Sequence, residues 1–168
     1  MPALSLVIRP ENRDDGDAIE RLHARAFGPG RYARTAFRLR EGSAHRADLS
    51  VTASVGSFLV GSVRMAPVTA GGTGFLALGP LAVDPSFSGR GVGTALMRAS
   101  LAAATSAGEG LVILVGDAQF YARFGFSPVP AEHLVLPGPV DPARFLALEL
   151  KPGFLATARG AVAAIRTG

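Results

Sequence analysis

The segment that most constrains this chain is the run Phe75-Leu-Ala-Leu-Gly-Pro-Leu-Ala-Val83, followed after a short break by Ser88-Gly89-Arg90-Gly91-Val92-Gly93. A nearly continuous apolar run of this length reads as a strand covered on both faces. Pro80 within it cannot donate to a ladder, so a bulge or splay is predicted near Gly79-Pro80. After the glycines, Val92, Leu96, Ala99 and Ala103 fall on one helical face, and Gly108 ends the helix. Strand, glycine-rich turn and helix in that order make an anion site. The first turn of a helix leaves N–H groups without partners, and the macrodipole favours negative charge in front of them. Glycines let an anion approach the main chain, and Arg90 adds a positive charge. The chemistry suits a pyrophosphate. Two phosphate-binding classes fail. The turn lacks the Gly-Lys-Ser/Thr of a nucleotide-triphosphate loop, and the next strand ends in Val115-Gly116 without the acidic residue of a dinucleotide fold.

Around this unit the chain reads as alternating elements. Residues 5–9 form a first strand ended by Pro10, and Asp14 or Asp15 caps a helix carrying Ile19, Leu22, His23, Ala26 and Phe27 on one stripe. Gly28-Pro29-Gly30 stops that helix, and residues 31–40 form a second short one. Residues 49–55 and 58–66 make a hairpin across Gly56-Ser57, with the next turn at Gly71-Gly72. Residues 111–115 are a further buried strand, and Asp117 caps a short helix reaching about Phe124. Gly125-Phe126 leads into another strand, and residues 145–150 form the last core strand. Residues 151–168 carry no clear pattern. The order predicts an α/β chain with a mixed sheet, as one domain over residues 1–168.

Composition removes several classes. There are no cysteines, which excludes disulfides and thiolate chemistry and fits a reducing cytoplasm. Residues 1–15 lack the basic and apolar blocks of a signal peptide. No apolar run reaches the length of a membrane span, so neither membrane nor export is expected. The net charge is +4, but the basic residues are scattered, without basic runs or interleaved aromatics, so no nucleic-acid partner is expected. No metal-ligand cluster and no Ser–His–Asp set is apparent.

Leu81-Ala82-Val83-Asp84-Pro85, then Gly89-Arg90-Gly91-Val92-Gly93 and Ala95-Leu96-Met97, resembles the acetyl-CoA loop of the GNAT N-acetyltransferase superfamily. Further on, Phe120-Tyr121-Ala122-Arg123-Phe124-Gly125-Phe126 resembles that superfamily's second signature, in the expected order and spacing. Leu78-Gly79-Pro80-Leu81, Val115-Gly116-Asp117 and the closing Ala147-Leu148-Glu149-Leu150-Lys151-Pro152-Gly153 are similar to its YhbS-like branch. The resemblance covers roughly residues 5–153. It implies a central, mostly antiparallel sheet with a splayed pair of parallel strands, flanked by helices. The pantetheine arm of acetyl-CoA would lie in the splay, against main-chain groups of Leu81, Ala82 and Val83. Backbone N–H groups from Gly89 through Arg90, Gly91, Val92 and Gly93 to Thr94 would hold the pyrophosphate. Asp117 would lie near the pantetheine arm, and Tyr121 near the thioester sulfur as general acid. One departure is Ser88, where the family's loop usually opens with glutamine or arginine. Serine can still cap the helix but reaches less far.

The implied reaction is direct attack of an amine, on a small molecule or a protein, at the thioester of acetyl-CoA, releasing CoA. Taken alone, Tyr121 reads as a half-buried aromatic packed with Phe120, Phe124 and Phe126; the family signature is what favours a functional role. The general base has no evident candidate, since the 75–83 strand carries no glutamate. Asp84 and Asp117 read as a strand-end turn and a helix cap. His23 reads as a packed core histidine, and His45 and His133 as solvated residues of polar connections. The missing base and Ser88 leave a non-catalytic acyl-CoA-binding module as the alternative. The acceptor is expected to meet the first helices, residues 28–47 and a hairpin around residues 134–143. The resemblance also admits a homodimer.

Overall fold

The computed structural model describes residues 5–27 and 45–165. A sheet runs in the order β1 (Leu6–Pro10), β2 (Val51–Val55), β3 (Phe58–Ala70), β4 (Thr73–Val83), β5 (Leu111–Val115), β8 (Phe145–Glu149) and β6 (Ser127–Pro128). Neighbours are antiparallel except β4 and β5, which are parallel. Among the described residues the α-helices are α1 (Gly16–Phe27), α2 (Val92–Ser106) and the short α3 (Ala118–Ala122).

Apolar alternation decides which face each strand gives to which helix. Leu76, Leu78, Val63 and Met65 belong to the cluster under α2, which contributes Val92, Leu96, Met97 and Ala104. Phe75 and Ala77 face the other side, packed with Ile113, Leu134, Leu136 and Ala158. Ala82 also faces that side, under Ile19 and Leu22 of α1. Leu78 and Leu81 both pack towards α2 although three positions apart. Strict alternation would place them on opposite faces, so β4 carries a bulge between them. The register confirms it: Met65 pairs with Leu78 and Val63 with Leu81, leaving Arg64 alone across from Gly79 and Pro80, whose shared peptide is cis. The irregularity expected from Pro80 is therefore present.

Gly61 sets how closely α2 approaches. A Cβ there would lie 2.8 Å from Leu96 Cδ1 and 2.9 Å from Val92 Cγ1. Only a glycine lets the first turn of α2 press onto β3. Below it, the Ser100 hydroxyl donates to Leu49 O at 2.8 Å, fixing the helix against the entry to β2.

The first turn before α1 differs in detail from expectation. A 3-10 turn, Arg13–Asp15, precedes the helix, and the Asp15 carboxylate accepts from Asn12 N–H at 2.7 Å while pairing with Arg9 at 2.8 Å. The expected short helix over residues 31–40 lies outside the described residues. The segment expected as a hairpin is none: β7 (Leu134–Val135) pairs in parallel with β9 (Gly160–Ala161), and residues 142–144 form a 3-10 turn. The patternless end of the chain is structural as well. β10 (Ala163–Ala164) pairs with β3, and Gly110 leaves the space that the Phe154 ring occupies. His133, read as solvated, is buried, with its Nε2 2.6 Å from Leu155 O. His23 is a packed core residue, as expected.

Asp84 ties α1 to the end of β4. Its buried carboxylate accepts from Ser86 N–H at 2.9 Å and from Arg25 Nε at 2.9 Å. The Ser86 hydrogen bond is the main cause holding this carboxyl below its ordinary range, against the opposing effect of burial and with the help of Arg25. A depressed pKa stabilises the fold above the ordinary carboxylate range, and the contribution is lost as pH falls through the folded value. Asp84→Ala is expected to cost about 2–3 kcal/mol, lowering Tm by about 4–12 °C at neutral pH, with a smaller deficit in acid. Thermal unfolding at several pH values checks this.

Candidate active site: a split between parallel strands

The two parallel strands touch only briefly. Leu76 pairs with Val112 and Ala77 with Ile113. Beyond that point β4 runs on to Val83 beside β3, while β5 pairs with β8 from Leu111 to Val115. Main chain from Leu78 to Val83 therefore has no ladder partner on its β5 side. This is the splay predicted from Pro80, and a ligand strand of polar amides could pair there as a β-strand would.

The open edge leads to the N-terminus of α2. Gly91 is the cap, with φ 80°, and Gly89 has φ 74°, both in the left-handed region where glycine is at ease. The first helical bond runs from Ala95 N–H to Gly91 O at 3.0 Å. The amides of Val92, Gly93 and Thr94 precede it and face out of the helix end. A Cβ at Gly93 would rest 3.7 Å from both Val83 Cγ2 and Phe120 Cζ, so the strand end, the helix start and α3 converge there.

The predicted residues fall into two groups. Leu81 and Val83 border the split, and Gly89, Arg90, Gly91 and Gly93 surround the helix end. Ala82 and Val92 contribute main chain only, since their side chains are buried under α1 and against β3. Ser88 does not cap the helix: its hydroxyl donates to Pro85 O at 2.9 Å. The short bond across the 3-10 turn holds it away from α2, and Gly91 takes the cap.

Three arginines lie on or beside α2, Arg90 and Arg123 at its N-terminal end and Arg98 two turns further along. Arg90 lies over the Phe87 ring at 5.8 Å, and Arg98 over Phe124 at 5.9 Å. Arg123 lies over Phe120 at 5.0 Å and donates to Thr94 Oγ1 at 2.8 Å. Among the described residues none of the three has an acidic partner, so they leave a net positive field before α2. Sequence reading named Arg90 and Thr94 only. Arg123 lay inside a recognised motif, but its reach to Thr94 becomes visible only when α3 docks on α2.

Asp117 is the N-cap of α3, accepting from Gln119 N–H at 3.0 Å. That turn sets Tyr121 over the end of β5. A Cβ on Gly116 would collide with the Tyr121 ring, so the glycine makes room for it. Phe120 and Phe126 meet the ring edge-on at 4.9 and 5.9 Å. Its hydroxyl makes no hydrogen bond among the described residues. Burial, and then the nearby Asp117 charge, push the phenol up to about 12, with Arg144 opposing. The group is a neutral donor at every physiological pH.

A glycine-capped helix end, an unpaired strand edge and a phenol over the end of β5 thus stand together in one part of the fold. The acetyltransferase (GNAT) domain model matches residues 49–128. The chain is 31% identical over 123 residues to the uncharacterized N-acetyltransferase YhbS of Escherichia coli (strain K12), covering 72% of this chain and 73% of that one. The crystal structure of E. coli YhbS in complex with CoA superposes with a TM-score of 0.81 at 28% identity, covering 98% of this chain and 92% of that one. A GNAT-family acetyltransferase from Brucella melitensis in complex with acetyl-CoA gives a TM-score of 0.62 at 29% identity, covering 86% and 96%. The chain belongs to the GNAT acetyltransferase family. Within that family it falls with the YhbS-like branch.

Proposed function

We propose that this chain transfers the acetyl group of acetyl-CoA to a primary amine, on a small molecule or a protein, by direct attack. The observation that carries the reading is the alignment of the β4–β5 split with the open N-terminus of α2. An extended pantetheine arm fits the unpaired edge from Leu78 to Val83, and its pyrophosphate then falls before the amides of Val92, Gly93 and Thr94. Arg90, Arg98 and Arg123 supply the positive field for the phosphates. The E. coli and Brucella relatives, with CoA and acetyl-CoA bound, support the same choice of ligand.

Bound acetyl-CoA supplies an activated carbonyl carbon and a thiolate leaving group. The chain's part is to position and to move protons. A main-chain N–H of the open β4 edge polarises the carbonyl oxygen. The Tyr121 phenol, over the end of β5, gives its proton to the sulfur as the C–S bond breaks. Burial keeps that proton on the phenol until the thiolate develops.

Saturating acetyl-CoA, at about a hundred times Kd, is expected to add about 2.7 kcal/mol and raise Tm by roughly 5–10 °C. CoA should do much the same, and ATP should do little. Release of free CoA thiol in the presence of amines then separates an enzyme from a module that only binds. No rise with acetyl-CoA would overturn the reading.

A further inference from the structure

The family reading leaves one proton unassigned, and a buried cluster outside the split answers to it. Arg64 stands across from the Gly79–Pro80 bulge, where the split opens. Its neighbours Val63 and Met65 pack towards α2, so Arg64 points to the α1 face. There it donates from Nε to Glu11 Oε1 at 2.9 Å and from Nη2 to Glu11 Oε2 at 3.2 Å. Glu11 continues β1, with its N–H bonded to Ser50 O at 2.8 Å. The same carboxylate lies 2.6 Å from His45 Nε2. The Glu11 side chain is 5% exposed, whereas the His45 ring is 31% exposed, so the ring alone of this pair meets solvent.

Burial opposes ionisation of Glu11, but the hydrogen bonds from His45 and Arg64 outweigh it and hold its carboxyl below the ordinary range. An ionised carboxylate only accepts, so the His45 nitrogen facing it, Nε2, carries a hydrogen, and Nδ1 is the ring nitrogen turned away from Glu11. The segment is fixed by its main chain as well: Arg46 N–H donates to Met65 O at 2.7 Å, and the Ser50 hydroxyl both donates to Arg46 O and accepts from Met65 N–H. Met65 pairs with Leu78 at the bulge. Among the described residues, the other charged groups near the ring are engaged elsewhere. Arg46 is held by Asp48 and Glu109, and Arg9 by Asp15.

Resting on the acetyltransferase reading, we infer that His45 is the proton acceptor for the attacking amine, with Glu11 and Arg64 as positioning residues. With the pyrophosphate at α2 and the pantetheine along β4, the thioester lies level with the bulge, and Tyr121 and α2 occupy the opposite face. The amine therefore arrives from the α1 face, over Arg64. One proton leaves the ammonium for His45 Nδ1 through water. The freed lone pair forms the C–N bond, the C–S bond breaks, and sulfur takes the Tyr121 proton. The second proton shed by nitrogen restores the tyrosinate through solvent, and His45 returns its own to solvent.

The test uses spermidine, glucosamine, lysine amide and an alanyl peptide as amines, scored by CoA thiol release across pH. For the best amine, His45→Gln is expected to lower kcat/KM about 100-fold. Its Tm shift with acetyl-CoA should match wild type, which a merely structural residue would not guarantee. Glu11→Gln is expected to lower kcat/KM by a smaller factor; the exposed His45 site keeps the test valid if that variant fails to fold. A wild type that acetylates with a His45→Gln variant equal to it in rate and pH profile overturns this assignment alone. A wild type that binds acetyl-CoA but turns over no amine overturns the acetyltransferase reading and this assignment with it.

Discussion

Tyr121→Phe is expected to lower kcat for acetyl transfer about 100-fold or more while leaving acetyl-CoA binding and Tm close to wild type. The separation follows from how the side chain is held. Its ring is fixed by Phe120, Phe126 and the space above Gly116, all of which phenylalanine keeps. Its hydroxyl has no hydrogen-bond partner among the described residues, so removing it leaves no donor or acceptor stranded. What is lost is a proton in reach of the thioester sulfur. Because burial pushes the phenol up to about 12, wild-type kcat should show no decline from tyrosine ionisation below about pH 10. Steady-state kinetics with a thermal shift on the same variant reads both halves. A variant with full kcat would remove the general-acid role, and one that lost acetyl-CoA binding would make Tyr121 a packing residue.

Much of this site was legible because its parts are local. The glycine loop, its strand and its helix are contiguous, and each obeys a rule that holds over a few residues. Pro80 in an apolar run forced a bulge, and β4 carries one opposite Arg64. Asp117 before an aromatic run signalled a cap, and it is one. Resemblance added what spacing could not, namely that the two signatures face one another across a split.

The failures share a different cause. β7, β9 and β10 are two residues each, too short for any period to register. Their pairing is decided by what they dock on, as Gly110 shows by admitting the Phe154 ring. Ser88 looked like a cap from its place in line, but a 3-10 turn gave its hydroxyl a nearer acceptor. His45 looked solvated because its neighbours in sequence are polar. Its partner Glu11 is 34 positions away and is itself anchored by Arg64, 53 positions further along. A charge cluster assembled from three segments leaves no local trace, so it escapes a reading that weighs each residue in its own window.

The anion site can be tested apart from the chemistry, through Gly91→Asp. Asp tolerates the left-handed region better than most residues, and nothing lies within 4 Å of a Cβ placed there. A carboxylate at a helix N-terminus also interacts favourably with the macrodipole, offsetting part of the backbone cost. The unliganded Tm should therefore change little. A bound pyrophosphate would meet a like charge about 5 Å away. At an effective dielectric of about 20 that repulsion is on the order of 3 kcal/mol, or at least a 100-fold rise in Kd for CoA. Gly91→Asn carries the same backbone demand without the charge, so it should weaken binding far less. Added salt should recover part of the Asp deficit and leave Asn nearly unchanged. Titration calorimetry with CoA across both variants and two salt concentrations separates charge from shape. Equal affinities for the two would mean that the phosphates do not sit before α2, and the field of Arg90, Arg98 and Arg123 would then need another anion to explain it.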